Sequence, residues 1–370
     1  MTRKACCFCA LALAATLSWC RGEEREKLGA ALFPVEQGKK SGYIDRTGKL
    51  VIRPAFDWAS GFSEGLACVE IDGKYGYIDP TGKIVIAPQF EQASYFHGGL
   101  AKIEVKGKWG YIDKAGTLAI PAQFDKAEDF CEGLAVVNIG GKRDSIMYER
   151  FEGGKYGFID PAGKRVIPLQ FGFAYEFSEG LALVIEDHGW SYIDKAGKRV
   201  IERKEGVRYL RCFHDGLAPI EPSVGKAGFI DKTGKIAIEP RFDSCEEFSE
   251  GLAAVMVAKK VGYVDTAGKV AIEPRFAQAG RFRGGLARVR LEKTTPWWGM
   301  GDRWGYVDKT GKLAINAEFN EVCDFSDGLA WVHVGGVLEE WDVHHRPRWK
   351  GGEWRLIDTT GKTIWKAPTE

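Results

Sequence analysis

The sequence predicts an all-β chain: a tandem array of about nine three-stranded antiparallel meanders, stacked as an open curved or superhelical array. A closed propeller-like ring is the alternative. Three observations carry this. An Asp-centred motif recurs at Asp45, Asp79, Asp113, Asp160, Asp194, Asp231, Asp265, Asp308 and Asp358, with a basic step of 34 residues. A second motif, F-x-x-G-L-A, begins at Phe62, Phe96, Phe130, Phe177, Phe213, Phe248, Phe282 and Phe325. Between the two lie short apolar runs bounded by Gly, Pro and Asp, with 47 glycines in 370 residues. A fixed period in this range marks stacked units, none of which buries its apolar surface alone.

One unit shows the logic. Leu66 to Ile71 is a short apolar strand ending at the turn Asp72-Gly73. Tyr75 to Ile78 is the second strand. In Asp79-Pro80-Thr81-Gly82 the Asp can bond the backbone ahead and the Gly accepts positive φ, so the segment reads as a reverse turn. Ile84 to Ile86 is the third strand, stopped by Pro88. Pro88 to Gly98 crosses to the next unit, pinned by Phe90 and Phe96. On the second strand Tyr75 and Tyr77 face one way, Gly76 and Ile78 the other. Both faces are largely apolar, so each sheet needs a neighbour on either side. Nine units exceed the usual range for closed propellers, and the stretches Leu32 to Ile52 and Leu329 to Trp365 are in phase with the unit. Both points favour the open array.

The string W/Y-G-Y/F-I/V-D-x-x-G-K joined to F-x-x-G-L-A, with its Trp109-Gly110 and Trp304-Gly305 pairs, resembles the WG-repeat family of bacterial proteins. The resemblance runs from Leu32 to Pro368 and implies an all-β repeat array serving as a binding or interaction module, with no common reaction. Ser41, Ala227 and Val261 replace the aromatic, Ser191 and Arg355 the Gly, and Thr117 the turn Lys. An aromatic that is replaced so often is not an obligatory ligand contact.

At the N-terminus, Arg3 and Lys4 precede an uncharged run, Ala5 to Trp19, with the form of an export signal. The run is too short for a comfortable membrane span. Residues 1–20 are therefore expected to be a signal segment, 21–31 a linker and 32–368 the repeat domain. Leu17-Ser18-Trp19-Cys20 resembles a lipoprotein signal box with Cys20 as the lipidated residue, although Trp19 departs from its small residue; simple cleavage near Cys20 to Glu23 is the rival. The expected location is periplasmic, cell-surface or secreted, with membrane contact only through such an anchor. Cys68, Cys131, Cys212, Cys245 and Cys323 are dispersed, without CxxC, and read as packing residues. Cys212 and Cys245 could meet across adjacent units. A net charge of +1 gives no bulk attraction to a polyanion, so no nucleic-acid partner is expected.

Three connections exceed the period by 13, 9 and 16 residues. The extra residues after Phe130, Phe282 and Phe325 all enter between the first and second strands, so the three loops should share an edge. Their composition is rich in aromatics and Arg, the chemistry of contact sites. The candidate ligand or partner edge is Trp297, Trp298, Arg303, Trp341, Arg346, Arg348, Trp349 and Trp354. The later two insertions should form one patch; small satellite cores are the competing reading of the same aromatics. The repeated Asp and Lys residues are accounted for by turns, and the six His read as surface residues. No G-x-S-x-G, HExxH or P-loop string is present. The expectation is thus no catalytic residue, metal or cofactor. The function expected is an exported, non-catalytic module of the cell envelope recognising a glycan, peptidoglycan or protein partner; a structural spacer is the alternative.

Overall fold

A computed structural model describes residues 32–143, 151–186, 189–202, 207–222, 225–291, 303–341 and 347–367. The expected signal segment with Cys20, the linker, and Trp297, Trp298 and Arg346 lie outside the described residues. The described chain is all-β and falls into two compact units divided at Glu205 and Gly206. Five sheets of the repeat precede the division, and four of them with one two-stranded hairpin follow it.

Each sheet is an antiparallel meander with the expected first, second and third strands. In the second sheet these are Ala67–Ile71, Lys74–Ile78 and Ile84–Phe90. A fourth strand was not foreseen. In the crossover, Trp58–Ala59 pairs with Glu70 and Val69, adding a two-residue bridging strand to the sheet edge. Every repeat sheet but the first has a bridging strand, of two residues except in the sixth, where it is Val207–Leu210. These eight bridging strands and one extra two-stranded hairpin separate the expected 27 strands from the 37 described.

The family's glycine has a steric reason. Tyr75 pairs with Phe90 and Tyr77 with Ile86, so the third strand bulges at Pro88 opposite Gly76. A Cβ on Gly76 would lie 2.5 Å from the Ile86 carbonyl oxygen and 2.7 Å from the Pro88 nitrogen. Ser191 and Arg355 occupy this position in the fifth and ninth sheets. There the third strand pairs residue for residue past them, Ser191 with Glu202 and Arg355 with Lys366, without the bulge. The Gly is needed where the bulge is present.

Within each unit consecutive sheets pack face to face. Tyr43, Ile52 and Phe56 of the first sheet meet Ala59, Ala67, Val69 and Ile78 of the second. The opposite face of the second, with Cys68, Tyr77, Ile86 and Phe90, meets Phe96, Ala101, Ile103 and Ile112 of the third. Both faces are buried, as the alternation on the second strand predicts. The motif Phe fills the seam: Phe96 lies 4.9 Å from the Tyr77 ring, and the Tyr77 hydroxyl donates to the Ser94 carbonyl at 2.8 Å. Burial pushes that phenol well above its ordinary pKa.

The two turns at one end of each sheet complete the frame. Asp79 Oδ1 accepts from the Thr81 N–H (2.8 Å), the Thr81 hydroxyl (2.6 Å) and the Lys83 N–H (3.1 Å). All nine repeated Asp residues make the two backbone bonds. They are turn residues, as expected. In F-x-x-G-L-A, Glu64 takes φ 50° and Gly65 φ 86°, a tight turn closed by Ser63 and Leu66. A non-Gly residue is strained there, and the next turn repays it: Glu64 accepts the Gly99 N–H at 3.0 Å and pairs with Lys114 at 3.0 Å.

Candidate functional site

All three insertions leave the first-to-second-strand connection, as the spacing predicts. In the fourth sheet the hairpin is lengthened to Ala135–Arg143 and Phe151–Ile159. In the eighth, residues 292–302 separate Leu286–Leu291 from Arg303–Asp308. In the ninth, Val337–Trp341 and Pro347–Lys350 form the separate hairpin, between Leu329–Val334 and Glu353–Asp358. The register beneath is undisturbed: Val289 pairs with Gly305 and Val332 with Arg355, as Val69 pairs with Gly76.

Of the residues named from sequence, Trp341, Arg348 and Trp349 share that hairpin, with Trp349 opposite Leu338, Arg348 opposite Glu340 and Trp341 opposite Pro347. Arg303 opens the second strand of the eighth sheet, opposite Leu291, and is half-buried. Trp354 lies at the root of the third insertion, its ring edge-on to His333 at 5.2 Å. That contact fits the satellite-core reading for this one residue.

Sequence reasoning missed how the first and third insertions are grafted. Each begins and ends with a glycine pair, Gly140-Gly141 and Gly153-Gly154, Gly335-Gly336 and Gly351-Gly352. Seven of these eight glycines have positive φ, and a Cβ on Gly154 or Gly352 would sit 2.3 or 2.7 Å from its nearest neighbour. Under the first pair, Asn138 accepts the Gly141 N–H at 3.1 Å and donates to the Gly153 carbonyl at 3.3 Å. His333 holds the same repeat position in the ninth sheet and is buried. His214 is buried too; desolvation, and then the Arg281 charge, lowers its pKa to about 3. These two correct the expectation that the histidines are surface residues. The repeated spacing Gly-Gly…Gly-Gly was the signal available for the graft.

At the same end of the sheets, the residue after the third strand is often acidic. Asp57, Asp125 and Asp243 each pair with a Lys at the start of the preceding second strand or just before it, Lys40 (2.8 Å), Lys108 and Lys226. Each also accepts a backbone N–H from the next hairpin tip, Asp72 (2.9 Å), Gly140 (2.8 Å) and Ala258 (2.7 Å). The lysines, then the backbone donors, hold Asp57 and Asp243 below the usual carboxylate range. Between the eighth and ninth sheets the corresponding residues are Arg303 and Asn320. Asn320 is 6% exposed, and neither atom of its carboxamide has a hydrogen-bond partner among the described residues.

Beside this end, a cavity of about 380 Å³ opens on the seventh and eighth sheets. Its walls include Ser244, Glu246, Met256, Val261, Gln278, Arg288 and Trp304. The Arg288 guanidinium lies 5.7 Å from the Trp304 ring and 2.9 Å from Asp324, and Glu246 pairs with Arg211 at 2.5 Å. These charges serve to tie successive sheets together. Arg281 likewise pairs with Glu247, whose pKa burial nonetheless holds above the usual range. Cys68 and Cys245 are buried free thiols packed in the core, so Cys245 is not bridged to Cys212; burial pushes Cys245 up to about 12. Among the described residues no group of three or more His, Cys, Asp or Glu could hold a metal ion. Among the described residues there is no helix long and apolar enough to cross a membrane.

No curated protein matches the sequence. Among solved structures, BamB from Moraxella catarrhalis is 12% identical, covering 71% of this chain and 89% of its own, with a TM-score of 0.40. KlHsv2 with loop 6CD replaced by a Gly-Ser linker is 10% identical over 82% and 95%, with a TM-score of 0.38. Apo AztD from Citrobacter koseri is 12% identical over 92% and 86%, with a TM-score of 0.33. Resemblances of this size do not bear on what the chain binds. The profile described as WG containing repeat matches seven times, over 42–75, 75–109, 109–142, 156–187, 228–260, 262–294 and 304–337. The matches leave out the Trp190-Ser191 and Trp354-Arg355 stretches, where the glycine is replaced. With most of its length matched, the chain belongs to the WG-containing-repeat family.

Proposed function

We propose that this chain is an exported, non-catalytic binding module of the cell envelope. It takes a glycan, peptidoglycan or protein partner at the insertion-bearing ends of the eighth and ninth sheets. The carrying observation is that two adjacent sheets bear insertions on the same connection while the strand register beneath them is unchanged. The insertions therefore add surface without being needed to close the sheets. Trp297, Trp298, Trp341 and Trp349 supply apolar contact area, and Arg346 and Arg348 fix anionic or hydroxylated groups. Export is supported by Arg3, Lys4 and the uncharged run from Ala5 to Trp19. The mass of the mature N-terminus tests it, and a diacylated Cys20 would establish an anchor.

The test of binding is a screen of the purified chain against cell-wall fragments, glycans and envelope extracts, repeated with the Trp298→Ala/Trp349→Ala double variant. The expected result is weakened binding with unchanged far-UV dichroism and melting. Unfolding of the last sheets would make these tryptophans core residues. Undiminished binding would move the site elsewhere, and no binding by either chain would favour the spacer.

A further inference from the structure

We propose that Arg303 and Asn320 form a carboxylate-binding site between the roots of the second and third insertions. The proposal rests on reading these sheet ends as the binding edge. Its starting point is the pairing found at equivalent junctions. Lys108, Trp109, Phe124 and Asp125 are matched by Arg303, Trp304, Phe319 and Asn320, with Trp109 opposite Phe124 and Trp304 opposite Phe319 in the same register. The backbone frame and the cation are kept, and the carboxylate that neutralises the cation is lost.

Two consequences of that exchange are visible. The Arg303 side chain makes no ion pair or hydrogen bond among the described residues, whereas Lys40, Lys108 and Lys226 are each paired. Asn320 is buried, with both Oδ1 and Nδ2 unpartnered among the described residues. Buried side-chain amides are nearly always satisfied, so a donor and an acceptor left open together among the described residues mark a place where a ligand can be held. Their positions are fixed. The Asn320 N–H donates to the His333 carbonyl at 2.9 Å, tying it to the root of the third insertion. Arg303 opposite Leu291 stands at the root of the second.

The chemistry of the two groups narrows the ligand. A guanidinium takes the two oxygens of a carboxylate side by side. Asn320 Nδ2 adds a third donor, and Oδ1 requires a hydrogen from the ligand. The ligand therefore carries an N–H or O–H next to its carboxylate. A peptide C-terminus and an acidic acetamido sugar both satisfy this.

The test is titration calorimetry of the full chain with acetyl-alanyl-alanine and N-acetylmuramic acid, against acetyl-alanyl-alanine amide and N-acetylglucosamine as neutral counterparts. At least one acid should bind about tenfold or more tightly than its neutral counterpart. Arg303→Gln and Asn320→Asp should each remove that preference. Asn320→Asp restores the Lys108–Asp125 type of pair, so it should also raise the melting temperature and thereby show an intact fold. Preference for the peptide acid identifies a peptide end, preference for the sugar acid a glycan. Equal binding of acids and neutral compounds, or variants that bind as the parent does, overturns the proposal. So does no binding of either acid at about 10 mM. The Trp298→Ala/Trp349→Ala screen judges the binding edge separately: partner binding lost there while the acids fail here leaves the edge standing and this site refuted.

Discussion

Two junctions built on one backbone frame behave differently. Between the third and fourth sheets, Lys108 and Asp125 pair, and Asp125 also caps the hairpin of the first insertion through the Gly140 N–H. Between the eighth and ninth, Arg303 and Asn320 occupy the same register, and neither side chain is paired among the described residues. The first junction is closed and serves stability. The second keeps polar groups that no described residue satisfies, at the roots of two insertions. A repeat array can thus vary one side chain at a junction without disturbing the sheet, because Phe124 and Phe319 hold the same place in both.

Breaking the shared frame should have the largest effect. In Gly110→Val a Cβ would stand 2.6 Å from the Ala122 nitrogen and the Ile120 oxygen, both backbone atoms. A loss on the order of 3–5 kcal/mol is expected in denaturant unfolding. Ser191→Gly, at the unbulged position of the fifth sheet, should fall within about 1 kcal/mol of the parent, the cost of added backbone freedom.

Opening the closed junction is next. Asp125→Asn removes the ion pair and weakens the cap, for a loss of about 1 kcal/mol in the same measurement. It should leave the carboxylate preference at Arg303 untouched.

A third effect is in pH. Burial, and then Arg281, hold the His214 imidazole neutral down to about 3. An unfolded His binds its proton near pH 6.5, so on acidification the unfolded chain takes up a proton that the folded chain refuses. This contribution is present above pH 6.5 and is lost as pH falls toward 3. His214→Gln should flatten the pH dependence of stability in that window by about one proton. An unchanged slope would mean that His214 titrates normally.

The smallest effect concerns the turns. The Thr81 hydroxyl lowers the Asp79 pKa. Its contribution is present above the unfolded carboxylate pKa and lost as pH falls through the folded one. Thr81→Ala should move the Asp79 titration upward, as read from carboxyl chemical shifts.

Much of the frame was legible because it repeats. The Asp turns, the opposite facing of Tyr77 and Ile78, and the insertion point each follow from a residue recurring at a fixed step. The bridging strands were not legible: Trp58–Ala59 is two residues long, and its pairing depends on where the crossover lies. The bulge escaped for a related reason, since Gly76 declares its steric role only once the third strand lies against it. Of the candidate edge, the insertion residues stood out by composition. Asn320 did not, because an Asn among turn residues is unremarkable until the Asp57, Asp125 and Asp243 pairs show what it replaces.

The central claim is that the insertions of the eighth and ninth sheets bind a partner and the repeat frame carries them. It is tested most directly by replacing residues 292–302 and 335–352 each with Asp-Gly, the tip used at Asp72-Gly73. The trimmed chain should melt as the parent does and lose its retention of cell-wall fragments, glycans and envelope proteins. A trimmed chain that unfolds, or one that still binds as the parent does, would contradict the account.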